Sequence, residues 1–176
     1  PRPLAPSFAD PHTSQFRLLP NGAIDPTTAV GGWAQFAKTH PDFPIKGTWY
    51  VLPTQQWGQK KLMRQKIAML RKLGSEFGSH TLTHRSLGTL SEDDVKREIA
   101  GSIEWLRGMG IEPRSFAYPY GVEPKNQTIV RSFEWKGLHF ALQNAVAAWG
   151  GPASSPTSKS LNVYRIPRVL AVDGSH

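Results

Sequence analysis

Apolar residues recur at helical spacing in two segments. Met63, Ile67 and Leu70 mark a helix over about 59–73, with Gly74 as its stop. Val95, Ile99, Ile103 and Leu106 mark another, which Ser91 caps with Asp94 three positions on and which Gly108 and Gly110 close. A further helix is expected after the turn Asp25-Pro26-Thr27, running to about His40. Pro26 is tolerated there because the missing N–H has no helical partner in the first turn, and Pro41 and Pro44 then break the chain. Segments rich in β-branched and aromatic residues read as strands. The clearest is Lys46 to Leu52 (KGTWYVL), with shorter ones around 75–78 and 115–118 and a leading one over Pro3–Phe8 that ends near Asp10. Toward the C-terminus the pattern predicts a helix over 126–136, a strand over 137–142, an exposed Gly/Pro/Ser loop over 150–160, and a last strand over 162–172 bent at Pro167.

Strands alternating with helices argue for an α/β fold with mainly parallel strands, here as one domain over 1–176. In such folds sites gather at the carboxyl ends of the strands. Asp10, the pair His80/His84 and Tyr120 each follow a predicted strand.

Composition removes several chemistries. The chain has no cysteine, which excludes disulfides, thiolate metal sites and cysteine nucleophiles, and suits a secreted or envelope location. It begins at Pro1, so a targeting segment removed ahead of it is expected. No run reaches the roughly 18 apolar residues of a membrane span. The net charge of +8 favours acidic partners, but the Lys and Arg residues are dispersed and no nucleic-acid module is present. A solvated basic surface, or one suited to anionic cell-wall polymer, is the expectation. No nucleic-acid partner is expected, and the oligomeric state is open.

The sharpest chemical signal is His80-Thr81-Leu82-Thr83-His84. Two imidazoles four residues apart on a helical turn face the same way and can bind one divalent metal. Imidazole nitrogen suits zinc, nickel, cobalt or iron(II), with packed or surface histidines as the plainer alternative. A third ligand is commonly a carboxylate. Asp10 is the candidate, against the alternative of an ordinary turn residue before Pro11. Phe116-Ala117-Tyr118-Pro119-Tyr120-Gly121 ends another strand at a bend, where aromatic rings can stack on sugars and a backbone N–H can stabilise an oxyanion. Trp49, Trp57, Tyr118, Tyr120 and Trp149 are candidate lining residues for such a groove, with core packing the alternative for most of them.

Together these segments resemble the polysaccharide deacetylases of the NodB-homology type, carbohydrate esterase family 4. GSHTLTHRSL (78–87) is similar to the family's second motif, FAYPYG (116–121) to its third, and Ser7-Phe8-Ala9-Asp10 stands where its first motif, Thr-Phe-Asp-Asp, belongs. The resemblance covers about residues 5–172. It implies a distorted, incomplete (β/α) barrel and a divalent metal, zinc first and cobalt or nickel next, held by Asp10, His80 and His84. It also implies an oxyanion contact from the Tyr120 backbone N–H; Trp49, Tyr118, Pro119 and Tyr120 are the substrate contacts expected from the aromatic residues and the bend themselves. The implied reaction is hydrolysis of the N-acetyl group of an amino sugar in a polysaccharide by metal-activated water.

Two departures stand out. The position of the family's catalytic base is Ala9, and a methyl group takes no proton. Losing such a base costs on the order of 10²–10⁴-fold in rate. A substitution made to trap a ligand is the favoured reading, with a natural pseudoenzyme or a substitute base such as His12 as alternatives. The arginine that orients the base in many members is Ala117 here, and no general acid is assignable. Rival functions are a carbohydrate-binding pseudoenzyme and a metal-dependent amidohydrolase of small acyl amides.

Overall fold

Three expected helices form, two of them opened by a side-chain cap. In the computed structural model, which describes residues 5–171, Thr28 Oγ1 accepts the Gly31 N–H at 3.2 Å and opens α1 (Ala29–Thr39). Helix α2 (Met63–Lys72) follows a 3₁₀ turn over Lys60–Leu62 and buries Met63, Ile67 and Leu70. In α3 (Glu92–Arg107) the Ser91 hydroxyl accepts the Asp94 N–H at 3.2 Å, and three acidic residues fill the first turn. Negative charge there suits the positive end of the helix dipole.

Five strands form one parallel sheet in the order β1-β2-β3-β4-β7. They are β1 (Ser7–Phe8), β2 (Thr48–Val51), β3 (Glu76–Ser79), β4 (Ser115–Ala117) and β7 (Asn144–Val146). The chain divides between Gly78 and Ser79 into two compact units. In the first, β1 pairs with β2 in the register Phe8↔Trp49. Its core is aromatic: Trp49 stacks on Phe8 at 4.2 Å between centroids and meets Trp57 edge-on. The buried Lys66 ammonium donates to the carbonyls of Phe16 (2.7 Å) and Trp57 (3.3 Å). In the second, Ser79 pairs with Phe116, and β4 pairs with β7 along its length. The core there joins the α3 stripe to Phe116, Tyr118, Phe140 and Ala145.

Two expectations need correction. The helix over 126–136 shrinks to α4 (Thr128–Arg131), and β5 (Ser132–Trp135) begins at once. Ser-Phe-Glu-Trp alternates with period two, so Phe133 is buried and stacks on Phe140 of β6 (Leu138–Ala141), the antiparallel partner. Lys136 and Gly137, both at positive φ, make the two-residue turn such a hairpin needs. The last strand over 162–172 is absent from its described residues, which offer only an isolated bridge from Ile166 to Val146. Residue 172 and the beginning of the leading strand, Pro3-Leu4, lie outside the described residues. The fifth sheet strand is instead β7, whose Asn-Ala-Val carries little strand signal.

Candidate functional site

The histidine pair comes together differently from expectation. Residues 80–84 form a turn, not a helix, with Thr81 at φ 67° and His84 at φ 63°. For a β-branched residue the left-handed region is strained, so something must hold it. The holder is Glu98, a buried carboxylate on α3. One of its oxygens accepts the N–H groups of Leu82 (3.1 Å) and Thr83 (2.8 Å), and the other accepts the Thr83 hydroxyl (2.6 Å). The Thr81 hydroxyl accepts the His84 N–H at 3.0 Å and closes the turn from within. Gly101 lets the turn lie close to the helix: a Cβ there would come within 2.9 Å of Leu82 Cδ2.

The result is convergence. His80 Nε2 and His84 Nε2 are 3.2 Å apart. Two imidazole nitrogens about 2.05 Å from a tetrahedral ion would be about 3.3 Å apart. His80 is also fixed in tautomer. Its Nδ1 lies 2.8 Å from the Ala117 carbonyl, which only accepts, so Nδ1 carries the proton and Nε2 presents its lone pair. His84 Nδ1 lies 3.2 Å from the Tyr120 hydroxyl, whose ring packs edge-on against the imidazole. The donor set therefore fits a divalent metal.

The third motif supplies the neighbouring wall. Pro119–Gly121 forms a 3₁₀ turn in which Tyr120 takes φ 58° and is 57% exposed. Tyr118 points the other way: it is buried, and its hydroxyl donates to the Tyr164 carbonyl at 2.8 Å. Burial pushes its pKa up, so it keeps its proton. Trp49 is 1% exposed within its aromatic stack. Both residues were expected among the substrate contacts, and both are core residues instead, because each ring fills space between packed elements. Pro119 is buried at the base of the turn. Among the expected lining aromatics, Tyr120 and Trp149 are exposed and Trp57 is buried.

In the first unit the chain leaving β1 is pinned at a bend. Gln15 Nε2 donates to the carbonyls of Ala9 (2.7 Å) and Asp10 (3.2 Å), and the Trp57 N–H donates to the Pro11 carbonyl at 2.8 Å. Asp10 takes φ 53° there, which aspartate tolerates better than most residues, and its side chain is exposed. His12 is exposed, and its Nδ1 is within 3.0 Å of the Ser14 hydroxyl.

A family model described as polysaccharide deacetylase matches residues 25–140. The chain belongs to the polysaccharide deacetylase family. The matched segment holds His80, His84, Glu98 and Tyr120 and begins after Asp10, so the first-motif assignment rests on position alone. A comparison with curated proteins gives no match. Among solved structures, the chain is similar to the Streptococcus pyogenes deacetylase PplD in complex with acetate, with 15% identity and a TM-score of 0.61 over 93% of this chain and 62% of PplD. It is also similar to the Bc1960 peptidoglycan N-acetylglucosamine deacetylase (22% identity, TM-score 0.49, 70% of this chain and 49% of that one). A third likeness is to BA3943, a CE4 family pseudoenzyme from Bacillus anthracis (22% identity, TM-score 0.42, 54% and 31%). The chain thus spans about six-tenths of PplD and half or less of the other two. The likeness to PplD bears out the fold class expected from the sequence, the α/β fold of the NodB-homology deacetylases.

Proposed function

We propose that this chain is the metal-binding domain of a deacetylase that removes N-acetyl groups from amino sugars in a polysaccharide, and that Ala9 leaves this form impaired as a catalyst. The observation that carries the reading is the convergence of His80 and His84 Nε2 at 3.2 Å, with the His80 tautomer set by a backbone carbonyl, in a chain of this family.

Asp10 is proposed as the third ligand on the strength of its place in the sequence, at the end of β1 where the family's first motif falls. Zinc is the favoured ion, since one carboxylate and two imidazoles form a common catalytic zinc set with an open position. The chemistry a bound divalent cation supplies is polarisation of the acetyl carbonyl and acidification of water. The chain's own contributions are separate. His80 and His84 orient their lone pairs, Tyr120 steadies His84 through its hydroxyl, and the Tyr120 backbone N–H is the proposed oxyanion donor. A proton acceptor is the missing part. Aspartate at position 9 would supply it; alanine does not.

A second reading, a carbohydrate-binding pseudoenzyme, is favoured by Ala9 itself. One experiment separates the two: acetate release from N-acetylglucosamine oligomers with added zinc, comparing the chain with its Ala9→Asp variant. The deacetylase reading expects a gain of at least 10²-fold in the variant. Zinc binding with no acetate release from either form would leave the binding reading and reject the enzyme.

A further inference from the structure

The first unit buries a charge that the reaction described above does not use. Lys66 of α2 is 0% exposed, and its ammonium lies 5.3 Å from the ring centroid of Phe16 and 5.7 Å from that of Trp57. Attraction to the ring faces offsets part of the cost of burying a cation. Part of the cost stays, since burial pushes the pKa of this ammonium down. A methionine would fill similar space with no charge to desolvate, and exchanges of buried charged groups for apolar ones are often neutral or stabilising. Packing alone gives no reason for a lysine here.

The reason lies in what the ammonium holds. It donates to the Phe16 carbonyl at 2.7 Å and to the Trp57 carbonyl at 3.3 Å. Each carbonyl belongs to an arm that grips the bend after β1. In the first arm Gln15, the residue before Phe16, donates through Nε2 to the carbonyls of Ala9 and Asp10. In the second arm the Trp57 N–H donates to the Pro11 carbonyl. The consecutive carbonyls of Ala9, Asp10 and Pro11 are thus held by two arms, and one ammonium ties the arms together. The second arm is strained. Gln56 and Trp57 take φ 44° and 50°, and Gly58 follows at φ 64°. Side-chain-bearing residues in succession in the left-handed region persist only where the surroundings impose it, and such strain gathers at functional sites. The arm also lies flat against the chain just past the bend: a Cβ at Gly58 would come within 2.5 Å of Thr13 Cγ2.

We propose that Lys66 is a positioning residue for Asp10: by tying the two arms it fixes the bend, and with it the direction in which Asp10 presents its carboxylate to a metal. The inference rests on the reading of Asp10 as the third ligand, and it supplies that reading with a cause. Asp10 itself takes φ 53°, a conformation that an isolated bend has no reason to keep. Lys66 acts through backbone carbonyls, so its effect on metal binding passes through Asp10 and depends on the aspartate being there.

The test measures the zinc affinity of the whole chain by competition with a chromophoric chelator. It compares the parent with Lys66→Met, Asp10→Ala and the double variant, with circular dichroism to check folding. The Val30 N–H of α1 also holds the Gln15 carbonyl, at 2.9 Å, so the first arm keeps an anchor and Lys66→Met should fold. Lys66→Met should lower zinc affinity about tenfold, the low end of the penalty for losing an outer partner of a metal ligand. On the Asp10→Ala background the same change should cost less than about twofold, because the route is already cut. A lysine that served packing alone would lower Tm and leave zinc affinity unchanged. The proposal is overturned if folded Lys66→Met binds zinc within about twofold of the parent, or if it loses the same factor with and without Asp10. Should Lys66→Met fail to fold, Gln15→Leu decides, since it frees the Ala9 and Asp10 carbonyls from a half-buried position. A loss above about twofold supports the route through the first arm, and a smaller one overturns it. The two readings fail separately. If Asp10→Ala weakens zinc binding and Lys66→Met does not, the positioning role falls and the ligand stands. If Asp10→Ala binds zinc as the parent does, the ligand reading falls and takes the positioning role with it.

Discussion

Glu98 is where the geometry makes its sharpest demand. It never meets substrate, yet it holds the turn that makes two histidines converge. Replacing it by alanine removes three charge-assisted hydrogen bonds, two from N–H groups and one from a hydroxyl. Bonds of this kind contribute about 1.5–3 kcal/mol each. Leu82 is half-buried and Thr83 exposed, so water replaces part of what is lost. The turn also stores strain at Thr81 and His84, on the order of 1–3 kcal/mol at each, which is released once the clamp is gone. Both effects favour a relaxed turn. We expect Glu98→Ala to lower stability by about 3 kcal/mol and zinc affinity by 10- to 100-fold, the usual penalty for losing an outer partner of a metal ligand. Glu98→Gln keeps an oxygen for the two N–H groups but loses the charge, and should fall between parent and alanine. Zinc affinity is read by competition with a chromophoric chelator, and folding by circular dichroism. Should Glu98→Ala fail to fold, the glutamine variant still tests the idea. A folded variant whose zinc affinity lies within twofold of the parent would refute the argument, because the turn would then hold its shape without Glu98.

Two further outcomes follow from other parts of the structure. Zinc at 100 times its dissociation constant should stabilise the parent by about 2.7 kcal/mol; a chelator should reverse the shift in Tm, and His84→Ala should abolish it while changing Tm little in chelator. Burial pushes the Lys66 ammonium down to about 8 from an ordinary value of 10.5, so between those pH values the unfolded chain holds more protons and stability should rise with pH; Lys66→Met should flatten that rise in urea melts taken from pH 7 to 10.5.

The helices and the central strands were legible because their signals are local. Ser91 with Asp94, the Val95–Leu106 stripe and the run Thr-Trp-Tyr-Val each declare an element within a few residues. The failures share one cause: the deciding partner was far away. Ser132–Trp135 continues a plausible helix until Phe140 is there to receive Phe133. Asn144–Val146 becomes a strand because β4 offers an unpaired edge, not because its residues favour one.

The site shows the same division at finer grain. Spacing identified His80 and His84 as a pair, but the helical geometry used to justify it was wrong. Their convergence comes from a left-handed turn clamped sixteen residues on, counting from Leu82 to Glu98. The clamp leaves a trace in the sequence. In the α3 stripe, Glu98 and Ser102 stand among Val95, Ile99 and Ile103 on the buried side, where a carboxylate is costly unless it is bonded. Ser102 bonds Ser79 at the end of β3, and Glu98 bonds the turn that follows. Two polar residues four apart on the apolar face of a helix thus point to the backbone they serve. The loop after β3 is the nearest segment with polar groups in need of partners. A buried carboxylate on a helix face beside a suspected ligand pair is therefore a signal for how the ligands are held, as the spacing of the ligands is a signal for what they hold.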